Sequence, residues 1–241
     1  MLNKAQGIVL HSIPYSDTYS IVHIYTDTLG RISCLVSRGK GKKRPIAGAL
    51  LMPLSVVEIE MERRSGNDLY HLREARLCFP LAQLFSDPLK SALALFLSEV
   101  LFRVLRETQP DARLFDFLYH SVHLLEDADR GIANFHVVFL LRLLTYLGIS
   151  PNMDAYPDDA YFDMQNGVFV SSPPLHTHYL DKTESRILTR LFRIRYENMA
   201  LYTFSRQDRV AILQKIIAYY RLHLPEITEI KSLPILQTLF D

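Results

Sequence analysis

The chain has 241 residues, long enough for one large domain or two small ones with a substantial core. Hydrophobic residues make up 49% and charged residues 22%, a balance that excludes a disordered or fibrous chain. The net charge of +1 excludes a uniformly basic protein, yet residues 1–80 hold 11 Lys and Arg against 7 Asp and Glu, while residues 81–241 hold 16 against 19.

Residues 1–78 read as a meander of short strands. Gly7–His11 is an apolar run, and Tyr19–Thr26 alternates with Val22 and Ile24 on one face. Leu29-Gly30 marks a turn, and Arg31–Ser37 alternates again, with Ile32, Cys34 and Val36 facing one way. Leu54–Glu62 alternates most clearly, Val57, Ile59 and Met61 opposing Glu58, Glu60 and Glu62. Leu69–Ala75 returns after a turn at Arg64-Ser-Gly-Asn67. Five such strands with no helical period predict a small closed barrel.

Between the third and fourth strands lies Arg38-Gly-Lys-Gly-Lys-Lys-Arg44, with five basic residues in seven and no acid. Its cations attract a phosphate backbone, and its glycines let the main chain come close. Arg38, Lys40, Lys42, Lys43 and Arg44 are therefore the candidate nucleic-acid contacts. The competing use is a solvated loop without a partner. Tyr15, Tyr19, Tyr25 and Tyr70 in the same segment suit base stacking or core packing equally.

The pattern changes to a helical period over residues 79–241. Asp87-Pro88 pairs a capping residue with proline at the first helical position. Pro110-Asp111 starts a second helix that runs to about Glu126, and a third spans Ile132–Leu147. Gly148 ends that helix in a left-handed cap, and Pro151 blocks a restart. Residues 150–181, broken by prolines, form an insert in which Tyr161–Phe169 predicts a hairpin with an Asn166-Gly167 turn. Helices resume at Asp181–Met199, where Asp181 and Glu184 resemble a capping box, and near Ser205–His223; an apolar tail follows at Leu233–Phe240.

The apolar stretches Ala92–Leu105 and Ile132–Leu147 are too short and too interrupted to span a bilayer, so buried helices are expected. The N-terminal residues read as strand rather than signal peptide. Cys34 and Cys78 make no disulfide framework, which points to a reduced, cytoplasmic setting.

Catalytic motifs are absent. Gly39-Lys-Gly-Lys-Lys is no P-loop, because Lys43 stands where that motif needs a hydroxyl. Glu58, Glu60 and Glu62 read as the wet side of a sheet rather than as acid–base partners. His120 with His123, and His176 with His178, supply at most two ligands each where tetrahedral zinc needs four, so no metal is expected. Arg186, Arg190 and Arg193 fall at i, i+4 and i+7, which predicts an arginine stripe on one helix face. The stripe is a second basic face, suited to phosphates or an acidic peptide, or a solvated surface.

The ordered segments resemble a known family. Gly7-Ile-Val-Leu, Tyr15-Ser-Asp, Leu29-Gly30-Arg31-Ile32-Ser33, the Arg38-Gly-Lys loop and Gly48-Ala-Leu are similar to the N-terminal barrel of RecO recombination proteins. Leu140-Leu-Arg-Leu-Leu, Gly148, Pro151, the Tyr161–Phe169 hairpin and Tyr219-Tyr-Arg-Leu-His-Leu continue the resemblance over nearly the whole chain. It implies an α+β protein with an N-terminal OB-fold followed by a helical domain with a small insert. It also implies a non-enzymatic, cytoplasmic and nucleoid-associated mediator of DNA repair. Such proteins bind single- and double-stranded DNA, anneal complementary strands, and act with RecR and the single-strand-binding protein to help load RecA.

The chain departs from many relatives in one respect. Residues 150–181 contain no cysteine, so the insert lacks zinc ligands. Tyr161, Phe162, Val168 and Phe169 are expected to hold it by apolar packing instead. The rival functions are a protein-interaction adaptor on an OB-fold and a metal-dependent nuclease; no carboxylate cluster with metal-binding spacing supports the second.

Overall fold

The period-two alternation does produce strands, and they close on one another. In the computed structural model, which describes residues 2–37, 48–63, 69–106, 109–153 and 159–238, the first five strands are β1 (Leu2–Pro14), β2 (Tyr19–Thr26), β3 (Gly30–Ser37), β4 (Val56–Arg63) and β5 (Leu69–Leu77). They form a closed barrel in the order β1-β2-β3-β5-β4, with β3 and β5 parallel and the other pairs antiparallel. This is the OB-fold arrangement that the barrel reading anticipated. Val9, Val22, Ile24, Cys34, Ile59 and Met61 fill the interior, each contributing roughly 1.5–3 kcal/mol by leaving water.

β1 is longer than the apolar run at Gly7–His11. Its first half pairs with β4, Leu2 opposite Glu62, and its second half pairs with β2, Pro14 opposite Ser20. A bulge between Val9 and His11 lets one strand bend from one partner to the other. The polar residues Asn3, Lys4, Gln6 and Ser12 hid this length in the sequence.

The chain divides into two compact units, one holding residues up to Asp127 plus the tail helix, the other Ala128–Glu229. The strand-to-helix change lies between Leu77 and Ala82, but compactness draws its line after Asp127. In the first unit α1 (Ala82–Ser86), α2 (Pro88–Val104) and α3 (Ala112–Asp127) follow the barrel. α2 starts as the sequence indicates: the Asp87 carboxylate accepts from Lys90 N at 2.9 Å, with Pro88 in the first turn. Leu93, Phe96, Leu97, Val100 and Leu101 are fully buried on it. α1 has no sequence signature; its Gln83 and Leu84 N–H groups donate to the Glu126 carboxylate at 2.9 and 2.7 Å. The tail helix Leu233–Thr238 packs on α2, where the Glu99 carboxylate accepts from Lys231 N, Ser232 N and Ser232 Oγ.

The second unit holds α4 (Phe135–Tyr146), a three-stranded sheet of β6 (Tyr161–Asp163), β7 (Val168–Val170) and β8 (Tyr179–Leu180), then α5 (Lys182–Leu191) and α6 (Arg206–His223). Gly148 has φ of 71°, and Ile149 N reaches back to Leu144 O at 3.0 Å, so the expected left-handed cap is present. The capping boxes of Asp181 with Glu184 and Ser205 with Asp208 both form. Tyr220 Oη donates to Leu140 O at 2.7 Å and ties α6 to α4.

One expected helix is cut short. The sequence predicts helix over Asp181–Met199, but α5 ends at Leu191. Arg193 and Ile194 bond back three residues instead of four, and the Asn198 side chain then bonds Arg195 N and Arg193 O. An asparagine that satisfies backbone groups itself removes the need for another helical turn. Among the described residues no helix is long and apolar enough to cross a membrane.

Candidate nucleic-acid interface

The outward faces of the barrel differ in chemistry. On β4, Glu58, Glu60 and Glu62 point outward and each meets a cation: Arg76, Lys4 and Arg73 respectively. Glu60 in turn raises the Lys4 pKa through its hydrogen bond and charge. Every carboxylate of the run is paired, so the three act as a wet, neutralised sheet face. Water screens these exposed pairs, so they add little to stability.

On β1, β2 and β3 the outward residues fall into rows set by register. His11, His23 and Ser33 form one row, Ile13, Ile21 and Leu35 the next, and Tyr19 lies opposite Ser37 beyond them. The C-terminal end of α2 packs on the first row. The Phe102 ring sits 4.6 Å from His11 and 5.0 Å from His23, centroid to centroid. The Arg31 guanidinium lies 4.3 Å over the same ring and donates to Phe102 O at 2.9 Å and Leu105 O at 3.3 Å, satisfying carbonyls at the helix end. Burial, with Arg31 and His11 alongside, pushes the His23 pKa down to about 4. His23 is therefore neutral at pH 7 and adds no charge to this face.

The tyrosines separate on inspection. Tyr25 is fully buried, with Phe115 of α3 stacked at 6.5 Å, so it is closed to any base. Tyr70 packs against the barrel core, and the Arg63 guanidinium lies 5.9 Å over its ring. Tyr15 and Tyr19 remain open to solvent, as does Ile13. Tyr19 and Tyr25 lie six residues apart on one face of β2, and only the packed helix distinguishes them.

Of the predicted contacts, Arg38, Lys40, Lys42, Lys43 and Arg44 lie outside the described residues. Their stem does not: Ser37 pairs with Tyr19 at the end of β3. Of the arginine stripe, Arg186 and Arg190 lie on α5 and Arg193 just beyond it. Arg186 is ion-paired with Asp159 at 2.6 Å. Arg190 and Arg193 instead border a groove with Asn198, Leu201, Tyr202 and Phe204.

The histidine pairs have local roles. His120 Nδ1 donates to Asp116 O at 2.7 Å, and His123 Nδ1 lies 3.0 Å from Asp127. His176 meets Asp163 at 3.3 Å. Among the described residues no three His, Cys, Asp or Glu side chains gather as a metal-binding group. Phe162 packs on Phe169 at 5.0 Å and on Tyr219 at 6.1 Å, which is the apolar packing expected of the insert. Asp163, missed in the sequence, organises its turn by accepting from Gln165 N, Asn166 N and Asn166 Nδ2. These bonds hold its pKa low despite burial.

Comparison with known proteins agrees with this architecture. Residues 1–81 match the family model for the Recombination protein O N terminal, and residues 85–234 match that for the Recombination protein O C terminal. The chain belongs to the RecO family. It is 44% identical over 241 residues to the DNA repair protein RecO of Phocaeicola vulgatus, covering all of both chains. The corresponding protein of Bacteroides fragilis is 43% identical over 242 residues, and that of Azobacteroides pseudotrichonymphae 40% over 241, again at full coverage. Within this RecO chain, the boundary between the two family models falls at the start of the helices, and the open rows on β1–β3 lie in the N-terminal part.

Sequence reading did not single out Ile13, Ile21 and Leu35 on this face. The signal was present in the alternation, but it requires knowing that β1 continues to Pro14.

Proposed function

We propose that this chain is a DNA-binding recombination mediator in bacterial DNA repair, with no covalent step of its own. It binds single- and double-stranded DNA and anneals complementary strands. With RecR it helps load RecA on DNA coated by the single-strand-binding protein. The observation that carries the reading is the open strip on β1–β3, which ends at Ser37, one residue before the five-cation run. Full-length similarity to proteins named DNA repair protein RecO supports it.

The mechanism is electrostatic. Lysine and arginine displace counterions from phosphates, so binding weakens steeply with salt. Two strands held on one cationic surface repel each other less and meet more often, and pairing follows without nucleotide hydrolysis.

The second unit supplies partner contacts. Its apolar cavity, of about 140 Å³, is lined by Leu141, Leu144, Phe162, Leu188, Ile212 and Tyr219, with the Lys215–Glu184 pair at 2.8 Å beside it. Together with the groove at Arg190 and Arg193, this suits an acidic tail with an apolar end, as the single-strand-binding protein is expected to present.

Annealing of complementary oligonucleotides coated with the cognate single-strand-binding protein tests the reading, and acceleration over the uncatalysed rate is expected. Replacing Lys40, Lys42, Lys43 and Arg44 by alanine should weaken oligonucleotide binding and flatten the logarithmic salt slope by about 3, at ~0.7 for each phosphate no longer neutralised. Parent protein that neither binds nor anneals DNA overturns the proposal, and an unchanged slope in the variant moves the binding site elsewhere.

A further inference from the structure

We infer that Tyr15 and Tyr19, with Ile13, Ile21 and Leu35 beside them, form a stacking platform for unpaired bases. This platform makes the barrel prefer single strands to duplex. The inference rests on the DNA-binding reading above and adds a residue-level account of strand selectivity.

Three observations carry it. The first is exposure. Tyr15 is 64% exposed, Tyr19 39% and Ile13 41%, so all three stand open where β1 and β2 meet. Of the four tyrosines in this segment, Tyr25 lies under Phe115 and Tyr70 is engaged by Arg63 and the core, which leaves these two rings.

The second is preorganisation. Tyr15 N and Ser16 N both donate to Tyr19 O at 3.0 Å, and Ser16 Oγ accepts from Tyr19 N at 3.2 Å and Thr18 N at 3.4 Å. Tyr15 and Tyr19 thus stand at the next opposed positions beyond the Pro14–Ser20 pair, where facing side chains share one side of a ladder. A turn held by these bonds presents both rings at little ordering cost.

The third is position. Rows two residues apart along a strand lie about 7 Å apart, so the tyrosines adjoin the Ile13–Ile21–Leu35 row and Ser37. Phe102 packs on the row below and stops there. Bases reach the rings from the open side, and Ser37, the residue that precedes the cationic run in sequence, lies opposite Tyr19. A π-face is available only on an unpaired base, so duplex DNA gains nothing from the rings.

The experiment compares three proteins on a fluorescent oligothymidylate and on a duplex of equal length, each across a salt series. The Tyr15→Ala/Tyr19→Ala variant should lose about tenfold or more in single-strand affinity. Its duplex affinity should stay within about twofold and its salt slope unchanged, because no cation is removed. The Tyr15→Phe/Tyr19→Phe variant should bind like the parent, since stacking needs the ring and not the hydroxyl. The chain has no tryptophan, so a Tyr15→Trp variant carries a single reporter, whose emission should be quenched by oligothymidylate and not by duplex.

Equal loss on both DNA forms, no loss on either, or an unquenched reporter at saturation overturns the inference. If the alanine variant fails to fold, the phenylalanine variant and the reporter still decide it. Parent protein that binds neither DNA form overturns the DNA-binding reading itself, a result distinct from failure of the platform.

Discussion

The outward sides of β4 and of β1–β3 arise from the same strand alternation, yet they end in opposite states. On β4 every glutamate of the run meets an arginine or lysine from a neighbouring strand. That face is satisfied by its own sheet. On β1–β3 the outward groups are imidazoles, aliphatic side chains and tyrosines, which form no such ion pairs across the ladder. A helix must cover them or they remain open. The end of α2 sets Phe102 against His11 and His23 in one row, while Ile13, Tyr15 and Tyr19 beyond it stay exposed and Ile21 and Leu35 are half-buried. A sheet face thus becomes available to a ligand when neither its own charges nor a packed helix satisfies it.

The largest expected effect comes from removing the cover. Phe102→Ala takes away the ring that packs on His11 and His23 and lies under Arg31. A loss of about 2 kcal/mol is expected in chemical denaturation, less than for a fully buried phenylalanine because Phe102 is only partly buried. The His23 resonance should then titrate closer to 6.5. Stability unchanged from the parent would mean that the covered row is not held by this ring, and the contrast with β4 would fail.

Acidification probes the same row more gently. The folded-state pKa of His23 is lowered from 6.5 to about 4, chiefly by burial. Its contribution to stability is therefore complete above pH 6.5 and is lost as pH falls toward 4, because the unfolded chain takes up the proton first. The melting temperature should decline through that window, and His23→Gln should reduce the decline. His136, fully buried and lowered to about 3, and His11, also lowered by burial, add losses of the same sign and leave a residual slope in that variant.

The smallest effect belongs to β4. Glu58→Gln with Glu62→Gln breaks two exposed ion pairs and should cost no more than about 1 kcal/mol per pair. Affinity for oligothymidylate should stay within about twofold of the parent, measured at physiological salt. A large loss would place the ligand on the paired face and reverse the comparison.

Much of the fold was legible because its signals are local. Alternation at Tyr19–Thr26, Arg31–Ser37 and Leu54–Glu62 marks strands whose one side is buried. Asp87-Pro88, Gly148, and Asp181 with Glu184 mark helix ends through bonds spanning three or four residues. Other features leave no recognisable sequence signature, whether their partners are near or far. α1 depends on Glu126, more than forty positions on. The end of α5 depends on how Asn198 turns back to Arg193 and Arg195. The buried Asp163 looked like an ordinary hairpin residue until its three donors were placed.

The candidate site divides along the same line. The cationic run is visible to anyone who counts charges, since five cations in seven residues need no structure to be noticed. The choice among the tyrosines is not, because all four carry the same side chain on similar strand patterns.

The sequence by itself determined the strand and helix types, the cationic run between β3 and β4, and the RecO resemblance, since each is written in neighbouring residues. Only the tertiary structure decided which tyrosines are open, which glutamates are neutralised and where β1 ends. Burial and pairing are properties of contacts between residues far apart in the chain, and a linear pattern carries no record of which distant ring or charge arrives.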